Sequence, residues 1–311
     1  MGRINALRHV TAIPSLIFLA HFWDGGELFS LKIKNCWFLS RADGFKAIRV
    51  IIAGFFCFFV QSARLSVNQV PLMQQDFILK QWAVWPPLQP DVEQNAGRQA
   101  ELLASVPKML KRRLSPLAKT VFCAVSQCLD ERMTVPAVFS SSHGELAKSF
   151  AMMEMLEAGE EISPTAFSLS VHNAIAGLFS MAWRNKLQCT VIAPGEEGMA
   201  PAFIEAIGLL REGAAQVLLV FYDEPLVDFY PSAPFKLSAD ESCALALRIA
   251  KSGEGQALTM SSSPLSGNDG EQPLQLPAFI RFLAGPQPKL MLKTPRRSWC
   301  WEKESHALSD F

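Results

Sequence analysis

The amino-acid sequence predicts an α/β fold, with a mixed sheet between helix layers, from Met73 to the C-terminus. Segments with an apolar period of two alternate with segments of helical period, which is typical of α/β domains. The run Gln216–Tyr222 is almost continuously apolar, and such a strand indicates a sheet buried on both faces. A third segment, Ser163–Ala182, is interpreted as a strand, a sharp turn and a helix.

The elements follow from local patterns in chain order. Ser115-Pro116 predicts a helix start, because serine caps a helix and proline suits its first turn. Residues 252–272, rich in Gly, Ser and Pro, predict a segment that includes a surface loop. Strands are predicted at 77–84, 137–140, 167–171, 188–192, 216–222, 242–250, 289–293 and 298–301, and helices at 102–114, 115–129, 145–156, 174–183, 201–211 and 274–283.

The segment Ser163–Ala182 has the pattern of an acyl-transfer site. Phe167–Val171 alternates apolar and small polar residues and predicts a strand, and Ala174 begins a helical pattern. A helix N-terminus that faces out of a sheet offers free N–H groups to an oxyanion or a thioester carbonyl. The turn, however, reads Asn173-Ala174-Ile175, and none of these side chains can attack a carbonyl. The pattern therefore predicts either such a site without its nucleophile or an ordinary βα unit.

Composition excludes several other classes. Lys and Arg total 29, as do Asp and Glu, so no net charge indicates nucleic-acid binding, and Lys111-Arg112-Arg113 and Arg296-Arg297 are interpreted as solvated edges. The seven cysteines include no CxxC pair, and the five histidines include no HExxH motif, so no metal is predicted. No nucleotide-binding glycine motif occurs, and no cofactor is predicted. Reduced cysteines of this kind indicate a cytoplasmic protein.

Residues 1–72 differ from the remainder of the chain. They hold eight Lys and Arg against three Asp and Glu, a net charge of +5, and several short apolar runs. The run Val50–Val60 has 11 residues, whereas a membrane-spanning helix needs about 20. Residues 1–72 are therefore interpreted as an atypical apolar extension: a membrane-associating segment, an unusual domain or, as we favour, translated upstream sequence. The predicted domain is 73–311.

The part from Met73 onward resembles a known family. The supporting motifs are Trp82–Trp85, Ser140–Ser142 with Gly144-Glu145, Ser163–Thr165, Phe167–Ala174 with Gly177, Val220–Leu226 and Trp299–Trp301. Together they resemble the N-terminal half of the thiolase-like β-ketoacyl synthases, and more closely the chain-length-factor subunits of aryl polyene gene clusters. The resemblance implies a thiolase-like α/β/α half-fold with a mixed sheet.

The resemblance also implies that catalysis is lost. Active members carry a nucleophilic cysteine three residues before a glycine equivalent to Gly177, and Ala174 occupies that position here. The histidines that activate decarboxylation lie in the C-terminal half of that fold, outside the part that this chain resembles. His143 and His172 lie at the wrong positions to replace them.

A non-catalytic member implies a partner. The resemblance predicts a heterodimer with an active ketosynthase, which receives acyl chains from an acyl carrier protein. Asp223 and Glu224 are expected to brace the neighbouring turn. The residues expected at the interface, or in the wall of the acyl tunnel, are His172, Asn173, Ala174, Ile175, Gly177, Leu178 and Phe179.

Two other hypotheses stay open at this point. The first is an autonomous acyltransferase or hydrolase that uses Ser170, Cys189 or the cluster Ser140–His143. The second is a membrane-surface protein anchored by residues 1–72. Labelling by an acyl electrophile would favour the first, and release from membranes on deletion of residues 1–72 would favour the second.

Overall fold

The computed structural model describes residues 19–24, 27–32, 73–88, 92–130, 133–225, 242–264 and 275–304. The chain divides into two compact units, Met1–Pro71 and Leu72–Phe311. In the first unit, strands β1 (Leu19–Asp24) and β2 (Glu27–Lys32) pair as an antiparallel hairpin. The predicted membrane-associating runs of residues 1–72 lie outside the described residues, and the assignment of residues 1–72 as an extension stays a prediction. Among the described helices, none has the length and apolar character needed to cross a bilayer.

The second unit alternates strands and helices, as the sequence predicts. Its strands are β3 (Met73–Trp85), β4 (Ala137–Ser140), β5 (Cys189–Ile192), β6 (Gln216–Asp223), β7 (Cys243–Ala250), β8 (Gln256–Pro264), β9 (Lys289–Lys293) and β10 (Arg297–Lys303). Its helices are α1 (Val92–Leu102), α2 (Lys108–Lys111), α3 (Pro116–Cys128), α4 (Leu146–Glu157), α5 (Pro164–Ser170), α6 (Ala174–Ala182), α7 (Ala200–Arg211) and α8 (Gln275–Ala284).

The eight strands form one mixed sheet in the order β5-β4-β6-β7-β3-β8-β10-β9. Strand β4 runs parallel to β5 and β6, and the other neighbouring pairs are antiparallel. In the parallel part of the sheet, helices connect β4 to β5 and β5 to β6. In the antiparallel part, α8 lies between β8 and β9 in the chain. The mixed sheet that the sequence predicts is therefore confirmed.

Two hydrophobic cores cover the two faces of the sheet. Along β6, Leu218, Val220 and Tyr222 point into the core beneath α3 and α6, while Val217, Leu219 and Phe221 point into the core beneath α7 and α8. The alternation explains why the segment is apolar at nearly every position, since both of its faces are buried. The three-layer α/β/α arrangement follows directly from that pattern.

The helix α3 begins where the sequence predicts. Ser115 caps it, because its Oγ accepts a hydrogen bond from the N–H of Ala118 at 2.8 Å. The same Oγ donates to Oε1 of Glu145 at 2.7 Å, so one buried hydroxyl satisfies both a helix terminus and a buried carboxylate. The apolar face of α3 is buried against the sheet throughout its length.

Two predicted elements are wrong, and one strand was not predicted. Phe167–Val171 is not a strand, because Pro164–Ser170 forms the short helix α5, capped by Ser163. The alternating pattern predicted a strand, but Ser163-Pro164 is a helix-start signal, and a helix begins at that point instead. The predicted helix 102–114 is interrupted before α2, where Pro107 has no N–H to donate. Residues 256–264 form strand β8 within the predicted loop region, since their partners lie far away in β3 and β10.

The double role of Ser115 can be tested against a simple cap. We expect Ser115→Ala to lower the free energy of unfolding by about 2–3 kcal/mol, because it removes a helix cap and leaves the buried carboxylate of Glu145 without that donor. Ser163→Ala is the matched control, since Ser163 is exposed and caps only α5; we expect a loss of about 0.5–1 kcal/mol. Urea unfolding of both variants measures the difference. Equal losses would contradict the role assigned to Glu145.

Candidate functional site

The turn before α6 carries the residues predicted to form an interface or a tunnel wall. Ile175, Leu178 and Phe179 are buried in the core beneath the sheet, and Phe179 packs against Phe139 with ring centroids 5.2 Å apart. Ala174 is also buried at the start of α6. These four side chains therefore act as core residues within this chain.

Three of the predicted residues reach the surface. Asn173 and Gly177 are exposed, and His172 is half-buried. A Cβ built on Gly177 would meet no atom within 4 Å, so the surface is open at that point of α6. The accessible part of the predicted site is thus limited to His172, Asn173 and Gly177.

A second turn matches the strand–turn–helix description better. Strand β5 lies at one edge of the sheet, a 3₁₀ turn at Gly195–Glu197 follows it, and α7 then begins at Ala200. Because Phe167–Val171 is helical, the arrangement that the sequence suggested at Ser163–Ala182 is the one that the structure has here. The predicted strand at 188–192 and helix at 201–211 already contained that signal, together with Gly195 and Gly198 between them.

This second turn is held by polar contacts from the far end of the sheet. Glu197 accepts a hydrogen bond from Oγ1 of Thr294 at 2.9 Å, and the N–H of Met199 donates to Oε1 of Gln275 at 3.0 Å. Gly198 has φ +63°, and a Cβ there would lie 2.1 Å from Oε1 of Gln275, so only glycine fits.

Neither turn carries a nucleophile for acyl transfer. Residues 171–175 read Val-His-Asn-Ala-Ile, and residues 193–199 read Ala-Pro-Gly-Glu-Glu-Gly-Met. Acyl transfer through a covalent intermediate requires a thiol or a hydroxyl activated by a base. At either turn, therefore, no thiol or hydroxyl is present to form a covalent intermediate. The assignment of Ala174 to the nucleophile position stays a prediction.

A loop after β4 is fastened to the end of β6 by Asp223. The carboxylate of Asp223 accepts hydrogen bonds from Oγ of Ser141 at 2.9 Å and from the N–H of Ser142 at 2.8 Å. It also accepts from Oγ of Ser142 at 3.2 Å and from the N–H of His143. Burial raises the pKa of Asp223 to about 6, although these hydrogen bonds favour the ionised form.

Two further carboxylates lie near the start of α4. Glu224 accepts a hydrogen bond from the N–H of Ala147, in the first turn of that helix, and Glu145 lies within 3.6 Å of Nζ of Lys148. Burial raises the pKa of both carboxyl groups, and the charge of Glu145 raises the pKa of Glu224 further. The contacts of Asp223 and Glu224 are compatible with a bracing role, which stays a prediction.

The cluster Ser140–His143 is not arranged as a catalytic triad. A triad needs a histidine between the serine hydroxyl and the carboxylate. Here Oγ of Ser141 donates directly to Asp223, and Nε2 of His172 is 2.9 Å from the backbone oxygen of Ser141 rather than from its hydroxyl. Ser141 is also only 1% exposed, so a substrate carbonyl does not reach it.

The other two candidate nucleophiles, Ser170 and Cys189, are also poorly suited to attack a carbonyl. Ser170 is buried, and its hydroxyl donates to the backbone oxygen of Phe167 at 2.9 Å. Burial raises the pKa of Cys189 to about 11, so its thiolate is a rare species at neutral pH. Within the part of the chain that the structure describes, no cluster of three potential metal ligands occurs.

Helices α4 and α5 present an apolar surface to solvent. No residue of α4 is buried, and its side chains Met153 and Leu156 are 47% and 58% exposed. Phe167 on α5 and Met181 on α6 are more than half exposed as well. Monomeric proteins rarely leave several large apolar side chains exposed on adjoining helices, and we call this part of the molecule the α4–α6 surface.

A separate groove is strongly basic. It has a volume of about 530 Å³ and lies between α1, α2 and the start of α3. Leu103, Ala96, Ala100 and Gln99 contribute to its lining, and its charged side chains are Lys108, Lys111, Arg112 and Lys119. The sequence alone indicates a solvated edge at Lys111-Arg112-Arg113. That interpretation does not include Lys108 and Lys119, which line the same groove in the folded chain.

The family follows from the sequence over most of the chain. Residues 82–302 match the sequence model described as "Beta-ketoacyl synthase, N-terminal domain". The chain belongs to this family. No curated protein sequence matches the chain. The family model confirms the resemblance to the N-terminal half of the β-ketoacyl synthases.

One solved structure shows the same fold for this β-ketoacyl synthase family member, and a second matches less closely. In the complex of the ketosynthase ApeO with its chain length factor ApeC from Xenorhabdus doucetiae, one chain matches with a TM-score of 0.59 and 22% identity. The match covers 73% of this chain and 99% of that chain. The ishigamide ketosynthase/chain length factor matches with a TM-score of 0.45 and 13% identity, over 61% of this chain and 68% of that chain. The fold is thiolase-like, as predicted.

The buried carboxyl of Asp223 predicts a pH dependence of stability. Its pKa is higher in the folded chain than its ordinary value of 3.8, so its contribution to stability is full below about pH 4 and is lost as the pH rises through about 6. We expect the free energy of unfolding of the wild type, relative to Asp223→Asn, to fall by about 2–3 kcal/mol over that range. Urea unfolding between pH 4 and pH 7.5 measures this difference. A difference that stays constant with pH would contradict the prediction.

Proposed function

We propose that this chain is a non-catalytic, ketosynthase-like subunit of the chain-length-factor type. It pairs with an active β-ketoacyl-acyl carrier protein synthase and shapes that enzyme's acyl tunnel in fatty-acid or polyketide synthesis of the aryl polyene kind. The observation that carries the proposal is that the fold is retained while neither candidate turn holds a thiol or a hydroxyl. We propose that it acts in the cytoplasm, since its sequence lacks the cysteine pairs typical of a disulfide framework.

The α4–α6 surface supports the pairing. Helix α6 contacts β5, the outermost described strand at its end of the sheet, and α5 contacts both α6 and α4, so the three helices that carry the exposed apolar side chains adjoin one another. An edge strand offers unpaired N–H and C=O groups, and the chain Cys189–Ile192 carries no charged residue that would oppose pairing with another strand. A partner that covers both features would bury apolar area and satisfy a strand edge in one interface.

The accessible residues of the α6 turn are suited to a shared tunnel. Asn173 and Gly177 face outward, whereas Ile175, Leu178 and Phe179 fix α6 in the core from the other side. We propose that the outward face of α6 meets the partner and that the three buried side chains hold its position. A bulkier residue at Gly177 then reduces the space available to the acyl chain or to the partner.

The basic groove supports contact with an acyl carrier protein. Four cationic side chains line a concave surface without an acidic one among its lining residues. Such a groove attracts an acidic protein surface and raises its rate of association. We propose that a carrier protein with an acidic docking helix is its partner.

Co-purification with the ketosynthase encoded nearest to this gene tests the pairing. We expect residues 73–311 to form a stoichiometric heterodimer by light scattering, with polyene-forming activity that survives Cys→Ala changes in this chain.

Met153→Glu and Leu156→Glu should each weaken association at least tenfold, because they place a charge on the α4–α6 surface. Met291→Glu is the matched control, since Met291 is 54% exposed on β9, at the other edge of the sheet. A chain that stays partner-free would refute the proposal.

Charge reversal in the groove tests the carrier contact. We expect the double variant Lys111→Glu/Arg112→Glu to weaken carrier binding to the heterodimer about tenfold at 50 mM salt and by much less at 500 mM, because the attraction is screened. Lys251→Glu is the control, an exposed lysine that is not part of the groove. Binding is measured by biolayer interferometry. Equal effects of the two changes would exclude the groove as the docking site.

A further inference from the structure

Ser141 is a junction at which four elements meet. Its N–H donates to the backbone oxygen of Ile192 on β5 at 3.2 Å, and its backbone oxygen is bonded to Nε2 of His172 at 2.9 Å. Its hydroxyl donates to Asp223 on β6 at 2.9 Å and accepts from the N–H of Gly144, just before α4, at 2.7 Å. One buried residue thereby uses every polar group that it has, each toward a different segment of the chain.

The loop around this junction has no room for adjustment. Gly144 has φ +60°, and a Cβ there would lie 2.8 Å from Cδ2 of His172. The imidazole of His172 therefore rests on the backbone of Gly144 while its Nε2 is bonded to Ser141. A shift of the turn before α6 is consequently transmitted to the loop that begins α4.

Polar contacts of this kind determine where α4 lies. No residue of α4 is fully buried, so burial of side chains fixes this helix less firmly than it fixes α3. Instead, Glu224 accepts from the N–H of Ala147, and Oγ of Ser149 donates to the backbone oxygen of Ser170 at 2.8 Å. The helix that presents Met153 and Leu156 is thus held mainly at its N-terminal half.

We propose that Ser141 and its acceptor Asp223 are positioning residues for the partner-facing surface: they set the pose of α4 and of the turn before α6, and so control the affinity for the partner synthase. The proposal rests on the proposed function for the identity of that partner. It assigns to these two residues a role through the surface that they hold, since neither is exposed enough to contribute a large contact of its own.

The junction makes association sensitive to acid. Protonation of Asp223 removes the charge that accepts four hydrogen bonds from the loop. The other titratable and charged groups near the junction are Glu145 and Lys148 on α4, Glu224 after β6, His143 in the loop and His172 in the turn. Because burial raises the pKa of Asp223, the folded junction is more stable when this carboxyl is protonated, so we expect stronger partner binding below about pH 6 than at pH 8.

The test compares Ser141→Ala with Ser142→Ala. The first loses the hydroxyl that joins Asp223 to Gly144, and the second loses only the 3.2 Å hydrogen bond to Asp223. Hydrogen exchange of the isolated chain at pH 8 is expected to show at least tenfold faster exchange at 142–149 and 172–176 in Ser141→Ala, with less than threefold change in Ser142→Ala. Unfolding by urea on the same samples shows that both variants remain folded.

Partner binding is then measured at pH 8 and at pH 5.5 by biolayer interferometry. We expect Ser141→Ala to bind about tenfold more weakly at pH 8 and to lose most of the wild-type difference between the two pH values. Unchanged exchange in both segments, or unchanged affinity and pH profile, would overturn the proposal. If the wild type binds no ketosynthase while exchange changes as expected, the proposed function fails but the coupling of the two helix starts stands.

Discussion

Burial of the central strands on both faces is the constraint from which the rest of the structure follows. Strands β4, β6 and β7 have almost no exposed side chain, so each must be covered by helices above and below. Helices α3 and α6 fill one side, and α7 and α8 fill the other. Helix α4 has no fully buried residue, and α5 reaches the core only through Leu169 and the buried Ser170, so several of their apolar residues face solvent.

That constraint also separates what the sequence could predict from what it could not. Strands such as Gln216–Asp223 and helices such as Pro116–Cys128 carry their own pattern, because both faces or one whole stripe must be apolar. Strand β8 does not, since it ends in three consecutive serines before Pro264 and its position depends on pairing with β3 and β10, far away in the chain. The error at Phe167–Val171 has the same origin: five residues of alternation suit a strand only if a neighbouring strand exists.

The candidate site divides in a similar way. The lack of a nucleophile could be predicted from the sequence, because it depends only on which residue types are present near a turn. Three of the four hydrogen bonds of Ser141 could not, since their partners His172, Ile192 and Asp223 lie 31 to 82 positions away from it. The basic groove also escaped prediction, because Lys119 lies on α3 and joins Lys111 only after folding. The presence or lack of a reactive residue type can be recognised in a short stretch of sequence. An arrangement of residues that are distant in the chain can be recognised only in the folded structure.

The two edges of the sheet have different consequences for assembly. Strand β9 is flanked by Lys289 and Lys293, and like charges at an edge discourage pairing with a second chain. Strand β5, at the other end of the described sheet, reads Cys-Thr-Val-Ile and has no such protection. A chain with one protected edge and one open edge can pair with only one other chain through the edges of its sheet. Excess copies that lack a partner would therefore close on themselves as two-fold pairs rather than extend into filaments, and such pairs would compete with the heterodimer for the same strand.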